Sequence, residues 1–187
     1  MRGNARRRPK PVEPRQVIFI GVEGKSDRAF ARFLQFCCDG EGLHLHLNVK
    51  TGSGGDSVSV VQEAVRHLTR HLDRKEISHS LALLDRDRYA QDVQAGRDAQ
   101  AVASKAKLEI IFQNPNLEGL LLRLHRRHES REIAAGDSMA ELRKVWPEYS
   151  KSSLTSEQLN QRFTVSDLRR AARYDQGLRR LLEVLGL

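Results

Sequence analysis

The chain has 187 residues, 32 Lys and Arg against 24 Asp and Glu, a formal net charge of +8 and two cysteines. That length supports one substantial core and excludes two large domains as the default, while the positive balance points to a polyanionic partner. No apolar run approaches the length of a membrane span, and the adjacent Cys37 and Cys38 are poorly placed for a staple or a zinc site, which is the usage expected of a reducing cytoplasm.

Residues 1–16, MRGNARRRPKPVEPRQ, hold six Lys or Arg against one Glu and therefore +5 of the +8. With three prolines and almost no large apolar side chain, this segment reads as a disordered basic tail lacking the apolar centre of a signal peptide. QVIFIGVEG follows as a continuous apolar run ending in Glu23 and Gly24, the pattern of a strand buried on both faces. Ser26 is a candidate N-cap for a helix whose Ala29, Phe30, Phe33, Leu34 and Cys37 recur at helical spacing up to DGEG. LHLHLNV alternates strictly, placing His44 and His46 on a solvent face, where the absence of an obvious third ligand argues against zinc. TGSGGDS breaks the chain without the Lys-Ser/Thr ending of a phosphate loop, and Val58, Val61, Val65, Leu68 and Leu72 mark a second helix.

SLALL is a third strand that runs directly into DRDRY. In an extended continuation, Asp85 and Asp87 project to one side and Arg86 to the other. LEIIFQ is a fourth strand, and NPNLEGLLLRLH a helix with Pro115 in its first turn. Beyond residue 129 the pattern is helical only. SMAE opens a helix at Ser138 that Pro147 ends, and Leu168, Ala171, Ala172, Leu178, Leu181, Leu182 and Leu185 mark a final helix interrupted near Gly177. The fold class expected is α/β, a mainly parallel sheet of about four strands with flanking helices over residues 17–128, and a helical C-terminal extension over 129–187 packed on it.

Strand-end ligands in open parallel sheets sit where strand order reverses. Glu23 and the Asp85/Asp87 pair both fall at strand C-termini, and packed carboxylates need a cation to stay ionised. Hard oxygen donors of this kind suit Mg²⁺ or Mn²⁺. Taken singly, each motif has a plainer reading: a strand end and turn for Glu23-Gly24, an ion-paired surface turn for DRDRY, and a helix-dipole partner for Glu118.

VEGKSD after the first strand and LLDRD after the third resemble the Toprim domain shared by topoisomerases, primases and OLD-type nucleases. The later NPNLE at 114–118 and YSK at 149–151 narrow the resemblance to the RloB-like family of bacterial defence loci. Leu117 stands where that family has an aromatic, Leu120 where it has a tryptophan, and His125 lies about one residue from its histidine. The resemblance implies a Toprim-like, Rossmann-like fold and a metal-dependent nuclease acting on DNA or RNA. It implies metal ligation by Glu23, Asp27, Asp85 and Asp87, and catalytic roles for Glu23, Asp85, Asp87, Glu118 and Lys151. Arg86 and Arg88 beside the carboxylates, and Arg123, Arg126 and Arg127 in the following helix, are the candidate nucleic-acid contacts. The implied context is an anti-phage effector controlled by an ATPase encoded beside it. The alternative from another class is a noncatalytic adaptor binding nucleic acid or the ATPase through a degenerate Toprim fold, and a third is a phosphohydrolase acting on a small nucleotide.

Overall fold

The computed structural model describes residues 14–52, 54–71 and 77–187; the basic tail, apart from its last three residues, lies outside them. Four strands, β1 (Gln16–Val22), β2 (Leu45–Thr51), β3 (Ile77–Asp85) and β4 (Glu109–Gln113), form one all-parallel sheet in the order β2-β1-β3-β4. The order reverses between β1 and β3, so the ends of those two strands flank the switch point of the sheet.

Helices cover both faces, which is why β1 carries an uninterrupted apolar run. On one face Ile18, Ile20, Val22, Leu81, Leu83 and Ile111 pack under α1 (Lys25–Gly40), α5 (Leu117–Leu124), α6 (Ser138–Val145), α7 (Ser156–Arg162), α8 (Val165–Ala171) and α9 (Gln176–Leu185). The C-terminal helices join this same core, α7 against α1, α6 and α8 against α5, and α9 against β4. On the other face Phe19, Ala82 and Leu84 meet Val60, Val61, Ala64 and Leu68 of α2 (Ser57–His71) and Ala99 and Ala103 of α4 (Ala99–Ala106). Full burial of one Phe or Leu side chain contributes about 1.5–3 kcal/mol, and Phe19, Phe30, Phe33 and Leu34 are all 0% exposed.

Two glycines set the helix-to-sheet distance. A Cβ on Gly21 would stand 2.6 Å from the Ala64 Cβ, and one on Gly177 would stand 1.9 Å from the Phe112 carbonyl oxygen. Side chains are excluded there by close approach, of α2 to β1 and of α9 to β4.

Several local expectations shift. Between β3 and β4 lie two helices that the pattern did not reveal, α3 (Arg86–Gln94) and α4. The cap of α1 is Gly24, not Ser26, and Pro115 precedes the Asn116 cap of α5 instead of sitting in its first turn. Asp137, not Ser138, occupies the N-cap position of α6. The C-terminal apolar series divides into α8 and α9, and the break falls before Asp175, the N-cap of α9. Among the described residues no helix is long and apolar enough to cross a membrane.

Candidate functional site

The strand ends at the switch point gather acidic side chains from three separate segments. After β1 the chain turns at Glu23 and Gly24, and α1 begins. Asp27, three residues into the helix, accepts a hydrogen bond from the Gly24 N–H at 3.3 Å, a helix-start carboxylate arrangement that fixes it beneath the turn. On β3, Leu81, Leu83 and Asp85 alternate onto the face covered by α1 and α5, so the last of them emerges at the end of the core. Gln113, the last residue of β4, is in register with Asp85. With its amide nitrogen turned toward the acids, Gln113 donates to both Asp85 Oδ1 and Asp27 Oδ1 at 3.0 Å. The two carboxylates therefore lie within twice that distance of each other.

The motifs that are distant in sequence clasp one another. Asp85 Oδ1 accepts from the Leu117 N–H at 3.0 Å. Asp87 Oδ2 accepts from the Asn116 side-chain amide at 3.1 Å, and the Asp87 N–H donates to the Pro115 carbonyl at 3.0 Å. Asn116 in turn caps α5 by accepting from the Gly119 N–H. The Glu118 carboxylate is buried; its Oε1 accepts from the Tyr149 hydroxyl at 3.0 Å, and Lys151 Nζ stands 3.3 Å from it. DRD is thus tied to NPNLE, and NPNLE to YSK.

The extended continuation expected for Asp85 and Asp87 is not what forms. The strand stops at Asp85 and Asp87 lies in the first turn of α3, where its carboxylate is held by Asn116. The cause is a distant segment: Asp85 takes extended angles at the N-cap position, and the following turn is held by the Pro115 carbonyl, which accepts from the Asp87 N–H, and by Asn116, which donates to its carboxylate.

Charge in this cluster is out of balance. Burial, then the neighbouring Asp27, Asp87 and Glu118, push the Asp85 carboxyl up to about 8, against the lowering effect of Lys151. Burial raises Asp27, and burial followed by Asp27 and Asp87 raises Glu23. Burial alone would lower the Lys151 ammonium, yet Glu118, Asp85 and Asp27 together hold it above its ordinary value. One lysine thus faces an excess of carboxylates in a poorly solvated place. In chemistry and charge the donors fit a hard divalent cation. Among the described residues, however, no group of three or more Asp, Glu, His or Cys side chains is disposed to hold a metal ion as positioned. Glu118 accepts from Tyr149, Asp27 from Gly24 and Gln113, Asp85 from Leu117 and Gln113, and Asp87 from Asn116.

The basic candidates divide. Arg86 is exposed, and Arg88 is half-exposed with Nε 3.6 Å from the buried Asp92. Arg123 is buried, donates to the Asn114 carbonyl and pairs with Asp175 at 3.5 Å, so it braces the start of α9 and is unavailable to a phosphate backbone. Arg126 and Arg127 are exposed, but on the turn after α5 ends at Leu124 and not on the helix. His125 packs edge-on against Phe163 at 4.9 Å and near Trp146, and burial lowers it to about 4, so it sits neutral in an aromatic group.

Sequence reasoning passed over Gln113, Asn116 and Tyr149, whose signals were the last position of β4, a cap preceding LEGL, and the first letter of YSK. It also passed over Lys25, Arg28 and Arg32, three exposed cations at i, i+3 and i+7 of α1 that border a cavity of about 300 Å³ closed by Leu154–Glu157. Comparisons with protein-family models, curated proteins and solved structures give no match for this chain.

Proposed function

We propose that the chain is a divalent-metal-dependent nuclease that cleaves DNA or RNA phosphodiesters at the ends of β1 and β3. The observation that carries this reading is the cluster of Glu23, Asp27, Asp85, Asp87 and Glu118 around one lysine at the switch point, with Asp85 pushed up to about 8. Such a concentration of like charge costs stability, and a bound cation offsets that cost. Glu23, Asp85 and Asp87 would hold Mg²⁺ or Mn²⁺, with Asp27 behind them. The cation would supply charge stabilisation at the phosphate and a lowered pKa for a bound water.

The chain's own groups have separable tasks. Gln113 holds Asp27 and Asp85 at a fixed spacing, and Asn116 fixes Asp87. Lys151, half-exposed, can turn its ammonium from Glu118 toward an anionic oxygen, and its raised pKa keeps it charged at neutral pH. Tyr149 keeps its proton and donates a hydrogen bond to Glu118, which orients that carboxylate as an anchor for Lys151. Lys25, Arg28 and Arg32 extend from the turn that carries Glu23 and form a track for a phosphate backbone. Control by an ATPase, a cytoplasmic location and a role in bacterial defence rest on sequence reading alone.

The second reading is the noncatalytic adaptor, favoured by one observation: Asp27, Asp85, Asp87 and Glu118 are satisfied by Gln113, Leu117, Asn116 and Tyr149, with no converging metal group among the described residues. Incubation of the purified chain with labelled single-stranded and duplex DNA and with tRNA, in Mg²⁺, Mn²⁺ or chelator, separates the two. The nuclease reading expects products only with metal and a loss of about 10²-fold or more in Asp85→Ala. Binding without cleavage in every metal, with any ATPase partner present, supports the adaptor.

A further inference from the structure

Beside β4 and the start of α9 lies a cavity of about 360 Å³, bordered by Arg86, Phe112, Asn114, Tyr174 and Gly177 among others. We propose that this cavity is a nucleobase subsite for a single-stranded substrate, the base stacking on Tyr174 and Arg86 contacting the adjoining phosphate. The inference rests on the nucleic-acid reading above and adds the strandedness of the substrate and the residues that recognise it.

Three observations converge. The first is the aromatic. Tyr174 is 59% exposed, yet its backbone is tied down: its N–H donates to the Ala171 carbonyl at 2.9 Å, and the Arg179 guanidinium donates to the Ala172 and Arg173 carbonyls at 3.1 and 2.8 Å. The next residue, Asp175, is buried, accepts from the Leu178 N–H and pairs with Arg123. A large ring is thereby held in water on a braced turn, the condition for a stacking platform with little ordering cost.

The second is the wall. β4 is the last strand in the sheet order, so its outer edge pairs with no further strand among the described residues, and Ile110, Ile111 and Phe112 of that edge line the cavity. A strand edge presents backbone donors and acceptors that match the hydrogen-bonding edge of a base, and apolar side chains beside it accept the base's faces. The third is continuity. Arg86 lies between Asp85 and Asp87 in sequence, is exposed, and acts electrostatically on Asp175 at the cavity floor. Arg86 therefore joins the cavity lining to the segment that carries Asp85 and Asp87. A strand crossing that end has its phosphate at the acids and a neighbouring base at Tyr174. Arg180, which also borders the cavity, is held by both Glu109 oxygens at 2.7 and 3.1 Å, leaving Arg86 as the cation turned to the phosphate.

A duplex presents an unstacked base only at the cost of unpairing and flipping it out, so the subsite favours single strands. The test is fluorescence anisotropy in chelator, so that binding is read without turnover, with a labelled single-stranded oligonucleotide, the matching duplex and a free mononucleotide, on the full chain carrying Tyr174→Ala, Tyr174→Phe or Arg86→Ala. Tyr174→Ala is expected to weaken single-strand binding about 10-fold, within the range seen for losing one base stack. Tyr174→Phe should retain it, Arg86→Ala should weaken it and lower its salt dependence, and duplex binding should be unaffected by Tyr174→Ala. Unchanged single-strand affinity in Tyr174→Ala, a Phe variant as weak as Ala, or equal affinity for mononucleotide and oligonucleotide would each overturn the assignment. Tyr174-dependent binding with no cleavage in any metal overturns the nuclease reading and leaves the subsite standing; metal-dependent cleavage indifferent to Tyr174→Ala does the reverse.

Discussion

Replacing Asp85 with Asn should stabilise the metal-free protein, against the usual direction for a buried, hydrogen-bonded residue. Asp85 rises from 3.8 to about 8 through burial and its acidic neighbours. A carboxyl with a raised folded-state pKa stabilises the fold fully below its unfolded value, and that contribution is lost as pH rises through the folded value. At about 1.4 kcal/mol per unit, the upper bound on the resulting cost at pH 7.5 is about 5 kcal/mol. Relaxation and water around a coupled cluster reduce this to about 2 kcal/mol. Asn keeps an oxygen for both donors that meet at Asp85 Oδ1, the Leu117 N–H and the Gln113 amide. Thermal unfolding in chelator should therefore give the variant a Tm higher by about 4–8 °C at pH 7.5. The gap should close toward pH 4, and Mg²⁺ or Mn²⁺ should raise only the wild type. A variant less stable than wild type at pH 7.5 would refute the view that the cluster is electrostatically strained.

Gly177→Ala should cost about 2 kcal/mol or more in urea unfolding, because its Cβ meets the Phe112 carbonyl oxygen at 1.9 Å and must push α9 from β4. His125, lowered to about 4 from 6.5, contributes stability that is present above about pH 6.5 and lost as pH falls toward 4. His125→Phe, which also removes a buried Nε2 with no partner among the described residues, should flatten that acid-side loss of the urea midpoint. Removing residues 1–13, with five Lys or Arg, should lower the salt-dependence slope of single-strand binding by up to about 3 in log–log terms. An unchanged slope would make the segment a linker.

The sheet was legible because burial on both faces leaves its mark on β1, β3 and β4, and the adjacency of β1 and β3 follows from where a parallel sheet reverses. α3 and α4 were not legible, since Ala99, Ala103 and Asp92 are their buried residues and none is a large apolar side chain. The acids themselves were readable from VEG, DRD and NPNLE, but their geometry was not. That Asp87 turns into a helix depends on Asn116 and Pro115, about 30 residues away, and the burial of Arg123 depends on Asp175, 52 residues on. A cation on an apolar helix reads as solvated until its distant partner is seen.

The central claim is that the carboxylates at the β1 and β3 ends take up a divalent cation. Calorimetric titration of Mn²⁺ into the purified chain at pH 7, repeated in two buffers of different ionisation enthalpy, tests it directly. Asp85, at about 8, is mostly protonated there and must lose its proton on metal binding. The account expects saturable binding with release of about one proton per site, and loss of that binding in Asp85→Ala. Absence of saturable binding, or binding that Asp85→Ala leaves unchanged, would contradict it.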